Sequence, residues 1–281
     1  MTALTGAPDQ VEKLDETQAL IGNTPLIPLD AKGTLPGVSL HAKLEARQLG
    51  QSVEGRVAFA VIKAAMLEGK LRNGVRLLDA STERLAIAYA SVAARLNVSI
   101  TLVMPKNTGA LTLHKLAAFG AEIRLVEADE DPRTVAKDLA HADPDSYYFA
   151  DHRSNDESWK VHYLGTAKEI YHQTQGQITH FVANSVRRDI LLGTGKKLKE
   201  VNREIVLVAL TSELEPSERS LEYADQTIYI DPQLISSRVD RFAKEAGMII
   251  SEESAFHLIG MEALAEGLDT GTLVTIFPYD N

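Results

Sequence analysis

The sequence predicts an α/β fold built on largely parallel sheets flanked by helices. Apolar runs of strand length alternate with longer segments of helical period, the connections between them are short, and no internal repeat, low-complexity segment or long linker interrupts the rhythm. Short strands followed by longer crossovers are the mark of βαβ units, because a parallel strand must be reached by way of a helix.

The elements follow in order. Val38 to Leu44 reads as a strand, Arg56 to Gly69 as a helix, Val75 to Leu78 as a strand and the alanine-rich Arg84 to Leu96 as a helix. A strand at Ser99 to Met104, a helix from Thr108 to Phe119, a strand at Glu122 to Val126 and a helix from Pro132 to His141 continue the alternation. The Pro/Asp break at Ala142 to Ser146 opens a second series. Its strands lie near Ile178 to Val182, Glu204 to Ala209 and Thr227 to Ile230, and its helices near Trp159 to Thr174 and Leu234 to Ala246. A helix near Ser254 to Ala265 and a strand at Thr272 to Phe277 close the chain.

At 281 residues the chain can bury a sizeable core, and 44% hydrophobic against 24% charged residues is ordinary for a globular protein. Lys+Arg 29 against Asp+Glu 39 leaves a net charge of −10, which repels phosphate backbones and anionic lipid and argues against a nucleic-acid partner. The absence of cysteine removes disulfides, thiolate metal sites and cysteine nucleophiles together. No apolar run approaches the roughly 20 residues that cross a bilayer, and the N-terminus lacks a basic start with an apolar stretch behind it, so a cytoplasmic protein away from membranes is expected.

Ile21-Gly22-Asn23-Thr24-Pro25-Leu26, Met104-Pro105, Phe119-Gly120-Ala121-Glu122, His162-Tyr163 with Thr166 and Glu169-Ile170, Gly193 with Leu198-Lys199-Glu200, and Thr275-Ile276-Phe277-Pro278 fall in register across nearly the whole chain. In these segments the sequence resembles the cysteine synthase and cystathionine β-synthase family of fold-type-II pyridoxal-phosphate enzymes, a tryptophan synthase β-like scaffold. The resemblance implies a smaller inserted lobe at residues 46–150, a larger lobe of residues 1–45 and 151–281, an active site in the cleft between lobes, and a homodimer.

The chemical positions of that family depart from its pattern. The lysine that carries the cofactor as an imine sits in a Ser-x-Lys-Asp-Arg segment, and the matching stretch is Ser52-Val53-Glu54-Gly55-Arg56. Glu54 cannot form an imine with an aldehyde. Lys43 and Lys63 do not fit the motif and are expected to be solvated. The glycine-rich loop that cradles the phosphate reads Val186-Arg187-Arg188-Asp189-Ile190, in which side chains replace the glycines that permit close backbone approach. The substrate-carboxylate loop reads Ser81-Thr82-Glu83-Arg84-Leu85-Ala86, with Arg84 at the position of the asparagine that meets the cofactor ring. An ion-pair network of Glu83, Arg84 and Glu54 filling the pocket is the expectation there. Glu253-Ser254-Ala255 replaces a Ser-Ser-Gly turn, Asp280 replaces the serine facing the pyridine nitrogen, and the glutamine framing the substrate falls near His152.

Other chemistries are screened quickly. Gly193-Thr194-Gly195-Lys196-Lys197 lacks the glycine at Ile190 and the hydroxyl at Lys197 that a phosphate-binding loop needs. No Gly-x-Ser-x-Gly or His-Glu-x-x-His segment occurs, and the eight histidines show no compact metal spacing. Asp151 and His152 are adjacent, so their side chains should point apart rather than work together.

The expected function is a catalytically inactive cysteine synthase-like protein without bound pyridoxal phosphate. It would act through binding, by pairing with an active cysteine synthase paralogue or another protein of sulfur amino-acid metabolism. One alternative is a cofactor-independent enzyme acting on a small anionic ligand, with Glu54 as general base, Arg84, Arg187 and Arg188 orienting the substrate, and His152 assisting. A second is a pyridoxal-phosphate-dependent β-replacement enzyme with an atypical site.

Overall fold

The computed structural model describes residues 8–30, 36–213 and 222–280. The chain divides into two compact units, one formed by the described residues within Met1–Gly22 and Gln48–Ser158, the other by those within Asn23–Arg47 and Trp159–Asn281. Each unit is an α/β layer structure, as the alternation predicts.

In the first unit four strands, β3 (Arg76–Asp79), β4 (Ile100–Pro105), β5 (Glu122–Val126) and β6 (Tyr147–Phe149), form an all-parallel sheet in the order β5-β4-β3-β6. The central pair carries the near-continuous apolar runs that burial on both faces demands: Leu77, Leu78, Leu102 and Val103 have no exposure. Helices α1 (Pro8–Gln18), α2 (Glu54–Leu67), α3 (Glu83–Leu96), α4 (Ala110–Ala118) and α5 (Pro132–Ala142) flank it. The alanines of α3 let that helix pack closely, and nine of its 14 residues are buried. It ends on Asn97 in the left-handed region at φ 56°, a conformation asparagine tolerates. Helix α5 starts on Asp131, whose carboxylate accepts from the Arg133 and Thr134 N–H groups, with Pro132 in the first turn.

The second unit carries a six-stranded sheet of β1 (Leu26–Leu29), β2 (Val38–Leu44), β7 (His180–Asn184), β8 (Val206–Thr211), β9 (Gln226–Tyr229) and β10 (Gly271–Phe277), ordered β1-β2-β10-β7-β8-β9. Only β1 runs antiparallel to its neighbour. Its core gathers Leu40, Val182, Val208, Leu210, Phe256 and Phe277. Helix α6 (Glu157–Val161), whose first two residues belong to the first unit, is joined to α7 (Ala167–Gln173) by a π turn at His162–Thr166; α8 (Arg188–Val201), α9 (Ile235–Ala246) and α10 (Glu252–Ala265) complete the set.

Helix α8 is absent from the alternation read in the sequence, and its glycines explain why. A Cβ on Gly193 would run into the Trp159 carbonyl oxygen and the His162 side chain, and one on Gly195 would meet Leu207. Residues that lower helix propensity are here what lets the helix approach its neighbours. The helices α1 and the three-residue strand β6 also lie outside that alternation.

Candidate functional site

In open α/β sheets, ligands are met at the carboxyl ends of the strands. In the first unit β3 and β6 are parallel neighbours, with Leu78 opposite Phe149, so the residues just beyond them are brought side by side. Asp79 ends β3 and His152 follows β6 by three residues. The Asp79 carboxylate, 1% exposed, accepts from the Ala80 N–H at 2.8 Å and lies 3.1 Å from His152 Nδ1. Because a carboxylate only accepts, Nδ1 carries the proton of this bridge. The Ser158 hydroxyl donates to the His152 carbonyl at 2.7 Å and the Asn155 amide to the Ala150 carbonyl, which hold the turn. Tyr89 is fully buried nearby, and its hydroxyl is pushed well up by burial and then by the Asp79 charge.

Asp151 and His152 take different partners. Asp151 sits at φ 45° and takes two hydrogen bonds from Arg133, at 2.7 and 2.8 Å. The Arg133 hydrogen bond holds the Asp151 carboxyl below its ordinary range. The sequence singles out His152 but not Asp79, whose only local signal is a lone carboxylate at the end of an apolar strand, just before a helix.

Glu54 opens α2 and is 5% exposed, with Arg56 at 2% on the same turn. Arg84 lies in the exposed first turn of α3. Glu83, expected in a network with Arg84 and Glu54, accepts from the Gly109 N–H and the Thr112 hydroxyl at the start of α4. The helix start provides amides without intrahelical partners, and the carboxylate meets them.

Lys43 also departs from expectation. It is fully buried on β2, between β1 and β10, rather than solvated. Its ammonium reaches Glu169 Oε2 at 2.7 Å, Gln173 Oε1 at 2.8 Å and the Thr24 carbonyl at 2.9 Å. Lys63 donates to Gln18 at 3.1 Å and lies over the Phe59 ring.

In the second unit the turn after β7 has no glycine between Asn184 and Arg188. The Val186 N–H donates to Asn184 Oδ1 at 3.2 Å and the Arg187 N–H to the Asn184 carbonyl at 3.0 Å. Arg187 makes a two-pronged pair with Glu253, at 2.8 and 2.9 Å, across the starts of α8 and α10. Arg188 meets Glu222 at 3.2 Å and lies over Tyr223. Asp189 Oδ2 is 3.9 Å from His162 Nε2, and Ile190 is buried. His257, with 1% exposure, accepts from the Asn184 N–H through Nε2 and meets the Ile276 carbonyl through Nδ1. Asp280 is exposed, 3.7 Å from Arg47.

Among the described residues no group of three or more His, Asp or Glu is placed to hold a metal ion, and no helix is long and apolar enough to cross a membrane.

Residues 17–272 match the family model described as pyridoxal-phosphate dependent enzyme. The chain is 30% identical to the cysteine synthase of Aquifex aeolicus, over 92% of this chain and 87% of that protein. It is also 30% identical to cysteine synthase B of Pseudomonas aeruginosa, over 91% of each. Among solved structures, the O-acetyl serine sulfhydrylase isoform 3 of Entamoeba histolytica superimposes with a TM-score of 0.85 at 22% identity, covering 100% of this chain and 91% of that one. The O-ureido-L-serine synthase gives 0.83 at 22% identity, over 95% and 91%. These two likenesses concern the fold.

Proposed function

The chain belongs to the family of pyridoxal-phosphate-dependent enzymes that includes the cysteine synthases, and we propose that this member is inactive in the cofactor's chemistry and acts by binding. The observation that carries the reading is the turn Asn184–Arg188. Two of its amides are engaged by Asn184 itself, and its arginine side chain is joined to Glu253. A phosphate held by backbone amides needs those donors free and the backbone bare.

The residues therefore do not fit pyridoxal phosphate as the resemblance would hold it. At the position matched to the imine-forming lysine stands Glu54, a buried carboxylate at the start of α2. Lys43 cannot substitute, since its ammonium is already committed to Glu169 and Gln173. The partner proposed is an identical subunit, an active cysteine synthase or another protein of sulfur amino-acid metabolism, in keeping with a scaffold retained while its chemistry is replaced.

The test is the visible spectrum and native mass of the purified protein, before and after pyridoxal phosphate is added. A colourless dimer that ignores the cofactor is expected. A yellow species that borohydride reduces onto a lysine would sink the reading.

A second reading, a cofactor-independent enzyme acting on a small anionic substrate, is favoured by the Asp79–His152 pair at the carboxyl edge of the first unit's sheet. Glu54 and Arg84 of the same unit are its further candidates. Turnover of a small anionic compound by cofactor-free protein, lost in Glu54→Gln or His152→Gln, is what it requires.

A further inference from the structure

Asp79 and His152 have the geometry of an oriented base. The carboxylate is almost sealed from water, the imidazole is 16% exposed, and Nδ1 is the nitrogen that meets the carboxylate. With its proton fixed on Nδ1, the neutral ring presents the lone pair of Nε2 outward. That nitrogen has no hydrogen-bond partner among the described residues. Asp79 is itself held by the Ala80 N–H, and the turn carrying His152 is held through Ser158 and Asn155.

We propose that Asp79 and His152 form a proton-transfer dyad, with His152 Nε2 as general base and Asp79 as its positioning residue, for hydrolysis of small anionic esters. The proposal rests on the cofactor-independent reading above. Arg153, next in sequence, is exposed and close enough to Asp131 for its charge to act on that carboxylate, and a cation beside the dyad favours an anionic substrate over a neutral one. A water gives its proton to Nε2 as its oxygen bonds to the acyl carbon. The acyl–oxygen bond then breaks, and the imidazolium returns the proton to the leaving oxygen. Ester and water become acid and alcohol, and no oxidant or further reactant enters. Asp79 keeps the Nδ1 proton in place throughout and stabilises the transient imidazolium.

The test uses the full chain. Nitrogen magnetic resonance at pH 8 should find His152 as the Nδ1–H tautomer in the wild-type protein; an Nε2–H tautomer overturns the dyad without any variant having to fold. Diethyl pyrocarbonate should acylate His152 at least as fast as the exposed His114 and His141, and Asp79→Asn should slow it selectively. Slower acylation in the wild type counts against the dyad. Hydrolysis of the mono-4-nitrophenyl ester of succinate should fall on the order of 10²-fold in His152→Gln, the usual weight of a general base. Equal hydrolysis by wild type and His152→Gln removes the esterase role of the dyad, whereas the cofactor-independent reading falls only if Glu54→Gln leaves turnover unchanged as well. A wrong tautomer removes the dyad alone and leaves Glu54 to be tested as the base.

Discussion

The Lys43 ammonium lies 2.7 Å from Glu169 Oε2 while its own side chain has no contact with solvent. Such a pair is costly to break from one side, because the charge that remains stays buried. Lys43→Met, which leaves Glu169 in place at 14% exposure, should lose about 3–5 kcal/mol. Urea unfolding measures it, and a loss below 1 kcal/mol would show that the amine is solvated in solution.

His257 ties two strand ends together only while neutral, since Nε2 must accept from the Asn184 N–H. Burial holds it below its ordinary value of 6.5, outweighing the opposing Glu253 charge and the Ile276 carbonyl. In the unfolded chain it gains a proton near 6.5, so its contribution is full above that pH and is lost as pH falls toward its folded value. His41 and His180 are shifted the same way by burial. Stability should therefore drop between pH 7.5 and 5.5. His257→Gln should remove up to about 1.4 kcal/mol per pH unit of that slope, read from urea midpoints across the window. An unchanged slope would place the titration elsewhere.

Asp151 combines a left-handed backbone with a two-pronged bond from Arg133. Asparagine tolerates that backbone and alanine does not, at a difference of about 1–2 kcal/mol. Thermal unfolding should rank wild type above Asp151→Asn and Asp151→Asn above Asp151→Ala. If the two variants are equally unstable, the charge on Asp151 matters and its backbone conformation does not.

Gly193 lies on α8 against the turn of Trp159, where a Cβ meets a backbone oxygen that cannot swing away. Gly195 faces the ends of the Leu207 side chain, which can. Gly193→Ala should cost on the order of 1–3 kcal/mol through overpacking despite alanine's better helix propensity, and Gly195→Ala less. Equal costs would mean that the helix shifts as a body.

What the sequence made legible follows from the range of the interactions. Strands β2 and β5 have the bounds that their apolar patterns predict, since alternation and burial are local properties. Helix α8 was hidden because Gly193 and Gly195 answer to Trp159 and Leu207, which no local window contains. Lys43 reads as a surface residue by type, and only the placing of β2 between β1 and β10, with Glu169 on α7, makes it a buried cation. His152 could be singled out, but its partner Asp79 is 73 residues away and becomes its neighbour only through the pairing of β3 with β6.

If the proposed reading holds, a lysine at position 54 should not by itself confer cofactor chemistry. Glu54→Lys supplies an amine at the start of α2, yet the turn after β7 still has its Val186 and Arg187 amides engaged with Asn184, and Arg187 remains paired with Glu253. An imine without a phosphate anchor is a weak and hydrolysable attachment. The variant incubated with pyridoxal phosphate should stay colourless after gel filtration, with no borohydride-fixed adduct on residue 54 by mass spectrometry. The buried position also predicts lower stability, because an ammonium placed there carries its own desolvation cost. Restored colour would mean that the phosphate is held by groups other than that turn, against the proposed reading.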